Sequence, residues 1–401
     1  MKNQKSHFAV VLGADVNGLG HVRSLGKAGI PTYVVCSGTG TKNVARFSKY
    51  CVPVMIKKEL FNYEIVLKKQ LIKIAEELNK KPVLFATSDF FVNFIATHRR
   101  ELAKYYLFNI PENNILKWIT NKYETDRVAR SVGLNSPKTF QMMDVYQMDY
   151  ISESIGFPCI LKPQDSISFA MPWKNIIINN ENELSNIYSQ FPYFLRNTII
   201  QEIIPGDEKN IFQCTAYIGK QTPPHFFTMQ KIHQSPPDFG VNTLGRSMTM
   251  PKLILKTQQI LNSIDYNGFA SVEFKKSERN NQFYLIEINP RLPWYNSLFI
   301  ASGVNFTKLA YLDLTESLRQ PLNIPFEINN VYWISFKDEA SGLWKRNKTR
   351  SKINYKETIN GILKARSFAF FDEHDLLPYA MANIEFFKKY IGRLMFHKLY
   401  Q

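Results

Sequence analysis

The chain has 401 residues, more than one ordinary core requires and enough for two or three subdomains. A hydrophobic fraction of 45%, with 30 Phe and 20 Tyr, supplies ample core material and excludes global disorder. The net charge of +16 favours anionic partners, whether nucleotides, nucleotide-linked sugars, anionic lipids or nucleic acid, and says nothing about fold. Cys36, Cys51, Cys159 and Cys214 are scattered, without a CxxC pair or metal spacing, and read as reduced thiols of a cytosolic protein. The first apolar run, Phe8 to Leu12, is too short for a signal-peptide core. No apolar stretch approaches the roughly 20 residues of a membrane span, so the expected location is cytoplasmic.

HFAVVLGADVNGLGHVRSLGKAGIPTYVVCS, from His7, reads as strand, glycine turn, helix and second strand, the opening of a parallel βαβ unit. Gly13, Gly18 and Gly20 would let the chain turn tightly and bring backbone N–H groups toward an anion at the helix N-terminus. The spacing is not GxGxxG and no acidic residue ends the second strand, so nicotinamide dinucleotide binding is not expected. A helix over Tyr63 to Leu78 leads to the strand PVLFATSD, which ends in Thr87, Ser88 and Asp89. Ligands of open parallel sheets bind beyond such strand ends. Asp89 is expected to cap the helix that follows, a role compatible with ligand contact.

Trp118 to Gly133 reads as a helix with Thr120 or Asn121 near its start, Lys122 in its first turn and Gly133 as its stop. IGFPCILKP, residues 155–163, is a strand on which Lys162 ends an otherwise apolar run. Burying an unpaired ammonium there is costly, so an anionic partner is expected. The stretch QDSISFAMPWKN follows, containing Ser166, Ser168 and Lys174 and no glycine. In TIIQEIIPGDEKNI, residues 198–211, a strand runs into a PGD turn and then a second strand begins. A polar stretch from His225 carries Lys231, His233 and Arg246; His233 has no metal-ligand neighbours and reads as a local hydrogen-bonding group.

Gly268 to Tyr295, GFASVEFKKSERNNQFYLIEINPRLPWY, reads as a hairpin with its turn at Ser277 to Asn281. Glu287 and Asn289, two apart on one strand, share a face. With the turn centred near Asn280, Glu273 lies across from Glu287, where opposed Cβ atoms are roughly 5 Å apart. Like charges so placed call for a cation. Hard oxygen donors without His or Cys favour Mg²⁺ or Mn²⁺, and Mg²⁺ completes its shell with waters and phosphates. A nucleotide is therefore the expected partner. Trp294 to Leu312 reads as a closing helix interrupted at Ser302 and Gly303. Beyond it, VYWISF is a strand candidate, and Leu343 to Lys356 holds six Lys or Arg and no acidic residue. The segment IEFFKKYIGRLMFHKLY near the end reads as a basic amphipathic helix packed on its own domain, with contact to an anionic membrane surface as the alternative.

These motifs, in this order, resemble the ATP-grasp superfamily over residues 8–315, most closely its carboxylate-amine ligases of the D-aspartate ligase-like group. The resemblance implies an α/β, ATP-grasp fold with an N-terminal Rossmann-like domain at 1–115. A lid subdomain at 116–200, a metal and nucleotide subdomain at 201–320 and a small basic C-terminal α/β extension at 321–401 would follow. It implies that Glu273, Glu287 and Asn289 bind Mg²⁺ and that Arg291 holds the reacting carboxylate or its acyl phosphate. Lys122 and Lys162 would contact ATP phosphates, and the backbone around Glu202, Ile203 and Ile204 would meet adenine. Glu208 would hold the ribose, with Asp207 in reserve; Lys231 loosely matches a basic residue near the γ-phosphate, and Arg246 is a candidate for the carboxylate substrate. The lid departs from the family by lacking glycine.

The implied reaction is ATP-dependent activation of a carboxylate as an acyl phosphate, then displacement of phosphate by an amine to give an amide. The alternatives are an ATP-grasp kinase or a nucleotide-binding protein without turnover. A nucleic-acid-binding protein would fit the charge but leave the glycine loop, the strand lysine and the hairpin carboxylates without a role. The implied partners are ATP, a small carboxylate and an amine, with an amino acid and a nucleotide-linked or cell-envelope precursor as candidate substrates. The sequence names neither substrate.

Overall fold

The chain was analysed as a computed structural model that describes residues 7–38, 42–57, 63–78, 80–141, 148–165, 175–194, 196–237, 239–318, 328, 330–348 and 355–384. Ser166, Ser168 and Lys174 of the expected lid, and nearly all of the expected basic amphipathic helix, lie outside the described residues.

The first sheet is parallel. Its strands β1 (Ala9–Leu12), β2 (Thr32–Ser37), β3 (Val52–Ile56) and β4 (Val83–Ala86) stand in the order β3-β2-β1-β4. β1 is buried throughout, which is why AVVL carries no polar alternation. At its end Gly13 takes φ +99°, a backbone conformation that costs other residues more, and the helix Val16–Lys27 follows. Asp15 caps that helix by accepting the N–H of Gly18 at 3.1 Å. A carboxylate thus already occupies the end where the glycine turn suggested an anion site. Gly20 serves another purpose: a Cβ there would fall 1.5 Å from Asn296 Oδ1, so its absence lets this helix press onto the loop after β13 (Phe283–Asn289).

The second sheet is antiparallel, with β5 (Thr139–Phe140), β6 (Cys159–Pro163), β7 (Ile176–Ile178) and β8 (Thr198–Glu202) in the order β5-β8-β6-β7. It has a core of its own, in which Ile151, Leu161, Leu184, Tyr188, Phe194 and Ile200 pack together. Just before it the helix expected to start near Thr120 or Asn121 forms as Lys122–Ser131, and a separate helix, Asn113–Thr120, precedes it. Asn121 divides them because its side chain accepts the N–H groups of Tyr123 and Glu124, the geometry of a new helix start.

The third sheet has seven strands. β9 (Ile211–Ile218), β10 (His225–Ser235), β11 (Val241–Ser247), β12 (Gly268–Lys276), β13, β14 (Tyr332–Ile334) and β15 (Ala365–Phe368) stand in the order β13-β12-β9-β10-β11-β14-β15. All neighbours are antiparallel except β14 and β15. The stretch from His225, read only as polar, is the longest strand of the sheet, and its Lys231, His233 and Gln234 line the cavity described below. Residues after 330 are integral to this sheet, since β14 pairs with β11. One face, with Phe212, Cys214, Val272, Phe274, Leu285 and Ile288, packs in the main core together with Leu253, Ile260 and Leu261 of the helix Pro251–Ser263. Among the described residues no helix is long and apolar enough to cross a membrane.

Candidate active site

The expected hairpin forms with Glu273 directly opposite Glu287 and Ser271 opposite Asn289. The register shifts just beyond this pair, because Phe274 faces Leu285 and leaves Ile286 as an extra residue. This bulge lets Leu285 and Ile288 both enter the core while Ile286, Glu287 and Asn289 all line the opposite side. That side is one wall of a cavity of about 1620 Å³ between the three sheets. Glu273 also accepts a hydrogen bond from Gln213 Nε2 at 2.8 Å and lies 3.5 Å from the ammonium of Lys231. Lys231 is 4% exposed, so its charge is placed for this cavity and for little else.

Glu287 accepts from Asn289 Nδ2 at 2.9 Å. Two opposed carboxylates and a neighbouring amide form a hard-oxygen set with too few ligands to enclose an ion. That set suits Mg²⁺ or Mn²⁺ completed by phosphate and water. Among the described residues no group of three or more His, Cys, Asp or Glu side chains is placed to hold a metal ion.

The lysines enter from the second sheet. Lys162 ends β6, donates to Gln201 Oε1 at 2.9 Å and has the ring of Phe239 at 5.9 Å. Lys122, in the first turn of its helix, donates to the carbonyl of Pro163 at 3.0 Å, which brings both ammonium groups to the same strand end. Both line the cavity, as do Glu202, Ile203 and Ile204 on the connection to the third sheet. The side chain of Glu202 turns to Arg279, 2.8 Å away, and Ile204 is 3% exposed.

Asp207 caps a short turn by accepting Lys209 N–H, while Glu208 faces the cavity. Glu208 is paired with Arg346 at 2.5 Å, both side chains 10% exposed. Burial raises the Glu208 carboxyl above its ordinary value, and the hydrogen bond and charge of Arg346 pull it back only in part. His233 lines the same wall; its Nδ1 lies 2.7 Å from Glu339 Oε1, the buried hydrogen-bonding role expected for it.

At the far end Arg291 is forked onto Asp89, Nε to Oδ1 at 2.9 Å and Nη2 to Oδ2 at 3.3 Å. Asp89 is the first residue of the helix Asp89–Thr97 and Ser88 occupies the cap position, so the carboxylate expected to cap this helix is engaged by arginine instead. Asp15 opens into the cavity yet is surrounded by protein on its other sides. That enclosure raises its carboxyl above the usual value against the opposing pull of the Gly18 N–H and of Arg291.

Arg246 is the one expected site residue that the cavity does not include. It sits opposite Gln230 on β11 and donates to Gln230 Oε1 from Nε and Nη2 at 3.0 and 2.8 Å. Side chains alternate along a strand, so Gln230 and Arg246 face away from the side taken by Lys231. The cavity residues that sequence reasoning missed include Asp15, Asn17 and Arg346. An acidic residue directly after a glycine turn is a readable cap signal for Asp15; Arg346 was visible only as one charge in a basic run.

No family model matches the chain. It is 24% identical over 357 residues to the D-aspartate ligase of Enterococcus faecium, covering 84% of this chain and 81% of that one. Among solved structures it is similar to the biotin carboxylase domain of the Hydrogenobacter thermophilus 2-oxoglutarate carboxylase, in complex with MgADP, ADP and bicarbonate. That match has TM-score 0.63 and 16% identity, and covers 82% of this chain and 74% of the other. It is likewise similar to an L-amino acid ligase from Bacillus licheniformis, with TM-score 0.60 and 12% identity, covering 80% and 78%. The chain has the ATP-grasp fold and resembles the ligases and carboxylases of that superfamily.

Proposed function

We propose that this protein is an ATP-dependent carboxylate-amine ligase that activates a substrate carboxylate on the γ-phosphate of ATP and joins it to an amine, releasing ADP and phosphate. The observation that carries this reading is the cross-strand pair Glu273 and Glu287, with Asn289 and Lys231 beside it, lining one cavity together with Lys122 and Lys162 of the second sheet. Mg²⁺ or Mn²⁺ held by the three oxygen-bearing side chains would neutralise charge on the β- and γ-phosphates. Lys122 and Lys162 bind the phosphate chain, Lys231 lies beside Glu273 toward its end, and the backbone at Glu202–Ile204 meets the adenine edge. Glu208 accepts from the ribose hydroxyls.

Arg291, held by Asp89, orients the substrate carboxylate and stabilises the negative charge that develops when the amine attacks. Asp15 lies within electrostatic reach of Arg291 and attracts the cationic amine before it reacts. In this reading residues 1–115 supply the acceptor side, 116–200 the lid and 201–320 the nucleotide. The likeness to the D-aspartate ligase supports an amino acid as the donor. The four free cysteines are in keeping with action in a reducing cytoplasm.

The test is phosphate release from Mg·ATP with pairs of amino acids, read against Glu287→Ala. Release with particular pairs, falling about a hundredfold or more in the variant, is the expected result. Release that is equal in the variant, or a phosphorylated product without amide, would overturn the ligase reading.

A further inference from the structure

The helix Phe336–Lys348 belongs to the C-terminal segment, yet it reaches the cavity from behind β10. Three contacts fix it there. Glu339 pairs with His233, Arg346 pairs with Glu208, and Gly342 packs on Ser235, where a Cβ would stand 3.3 Å from that of the serine. The neighbouring helix Tyr355–Lys364 adds an ion pair between Glu357 and Lys209, the residue after Glu208.

The two oxygens of Glu208 are not equivalent. Oε2 accepts from Arg346 Nη2 at 2.5 Å and from the N–H of Gln234 at 3.3 Å, and Arg346 also donates to the carbonyl of Gln234 at 3.1 Å. Oε1 accepts no hydrogen bond from the described residues, and Glu208 lines the cavity. A carboxylate tied down through one oxygen by a planar guanidinium, with its second oxygen facing a cavity, is an oriented acceptor for hydroxyl groups.

We propose that Arg346 is a positioning residue for nucleotide recognition: it fixes Glu208 so that the open oxygen accepts from the 2′- and 3′-hydroxyls of the ribose. This rests on the ATP-binding reading above. Arg346 gives Glu208 its orientation and keeps it an acceptor, because burial alone favours the protonated acid. The C-terminal segment thereby takes part in choosing a ribonucleotide over its deoxy analogues, although it supplies no ligand to metal or phosphate. A site built to accept from a substrate hydroxyl discriminates strongly against an analogue lacking it.

The experiment is calorimetric binding of Mg·ATP, Mg·2′-deoxyATP and Mg·3′-deoxyATP to the full chain, to Arg346→Met and to Glu208→Gln. The expected result is a preference for ATP in the unaltered protein and about tenfold or more weaker ATP binding in each variant. The ratio of ATP to deoxyATP affinity should fall toward one in both, and the double variant should be no worse than Glu208→Gln alone. If Arg346→Met does not fold, Arg346→Lys reads the same ratio, with an intermediate value expected because lysine keeps the charge and loses the fork. Equal weakening of all three nucleotides, with the ratio retained, would reduce Arg346 to a structural role and overturn the inference alone. An unaltered protein that binds none of the three would overturn the nucleotide reading itself, and the inference with it.

Discussion

Arg291 and Asp89 are separated by 202 residues and meet through a two-pronged hydrogen bond. A forked arginine has little rotational freedom, so it holds one orientation toward the cavity. His21, on the helix Val16–Lys27, is a second residue whose state is set by its surroundings, here Phe85, Phe269 and Thr307. Its ring is 0% exposed, Nδ1 meets Thr307 Oγ1 at 3.1 Å, and Nε2 has no partner among the described residues. Burial lowers its pKa from 6.5 to about 3. Between those values the unfolded chain binds a proton that the native ring refuses, so stability is lost as pH falls below 6.5, at up to about 1.4 kcal/mol per pH unit. His21→Gln should remove that slope: urea midpoints measured from pH 7 to pH 5 should fall less in the variant than in the parent, and parallel curves would refute the assignment. Single residues were unevenly legible in the sequence. Glu273, Glu287 and Asn289 were readable because a hairpin places its own partners. Arg246 was misplaced because the phase of β10 and β11 could not be set from a stretch read only as polar. Arg346 meets Glu208 across 138 residues, a distance over which sequence spacing carries no geometric information.

At the scale of elements, the strands that build the site were legible wherever apolar alternation and turn chemistry coincided. The hairpin of β12 and β13 and the strand bearing Lys162 are such cases. The bulge at Ile286 was not, since one extra residue in a ladder leaves no compositional mark. The glycine turn after β1 was legible as a turn, but its purpose was not. Gly20 makes room for Asn296, whose Nδ2 donates to the backbone and side-chain oxygens of Asn17, while Asn17 Nδ2 donates to the carbonyl of Leu292 next to Arg291. The helix Val16–Lys27 therefore steadies the loop that carries the arginine. Gly20→Ala should force that loop outward, costing about 1–3 kcal/mol by overpacking. Phosphate release should fall along with the urea midpoint; an unchanged midpoint would mean the contact relaxes freely.

Across the whole molecule, the cavity is bounded by three sheets, and the second of them has a core separate from the others. A ligand touching Lys162 on one side and Glu287 on the other ties those bodies together. Mg·ATP should therefore raise the thermal midpoint, by a stabilisation of about 2.7 kcal/mol when free ligand is a hundredfold above Kd. Calorimetric scans with and without Mg²⁺ should show the metal-dependent part disappearing in Glu287→Ala, and a midpoint indifferent to Mg·ATP in the parent would count against the site.

The pairing of Arg23 with Asp375 has a consequence for how the chain is made. Arg23, 5% exposed, donates from Nε to Asp375 Oδ2 at 3.0 Å and from Nη2 to the carbonyls of Phe370 and Asp375. The same carboxylate accepts from Ser48 and from the N–H of Lys49. During synthesis from the amino end, the first helix emerges 352 residues before the group that neutralises its buried guanidinium. The edge of β11 likewise stands open until β14 arrives. The nascent protein carries an unmatched charge through most of its translation and an uncovered β11 edge until β14 emerges, conditions that expose aggregation-prone surface during synthesis.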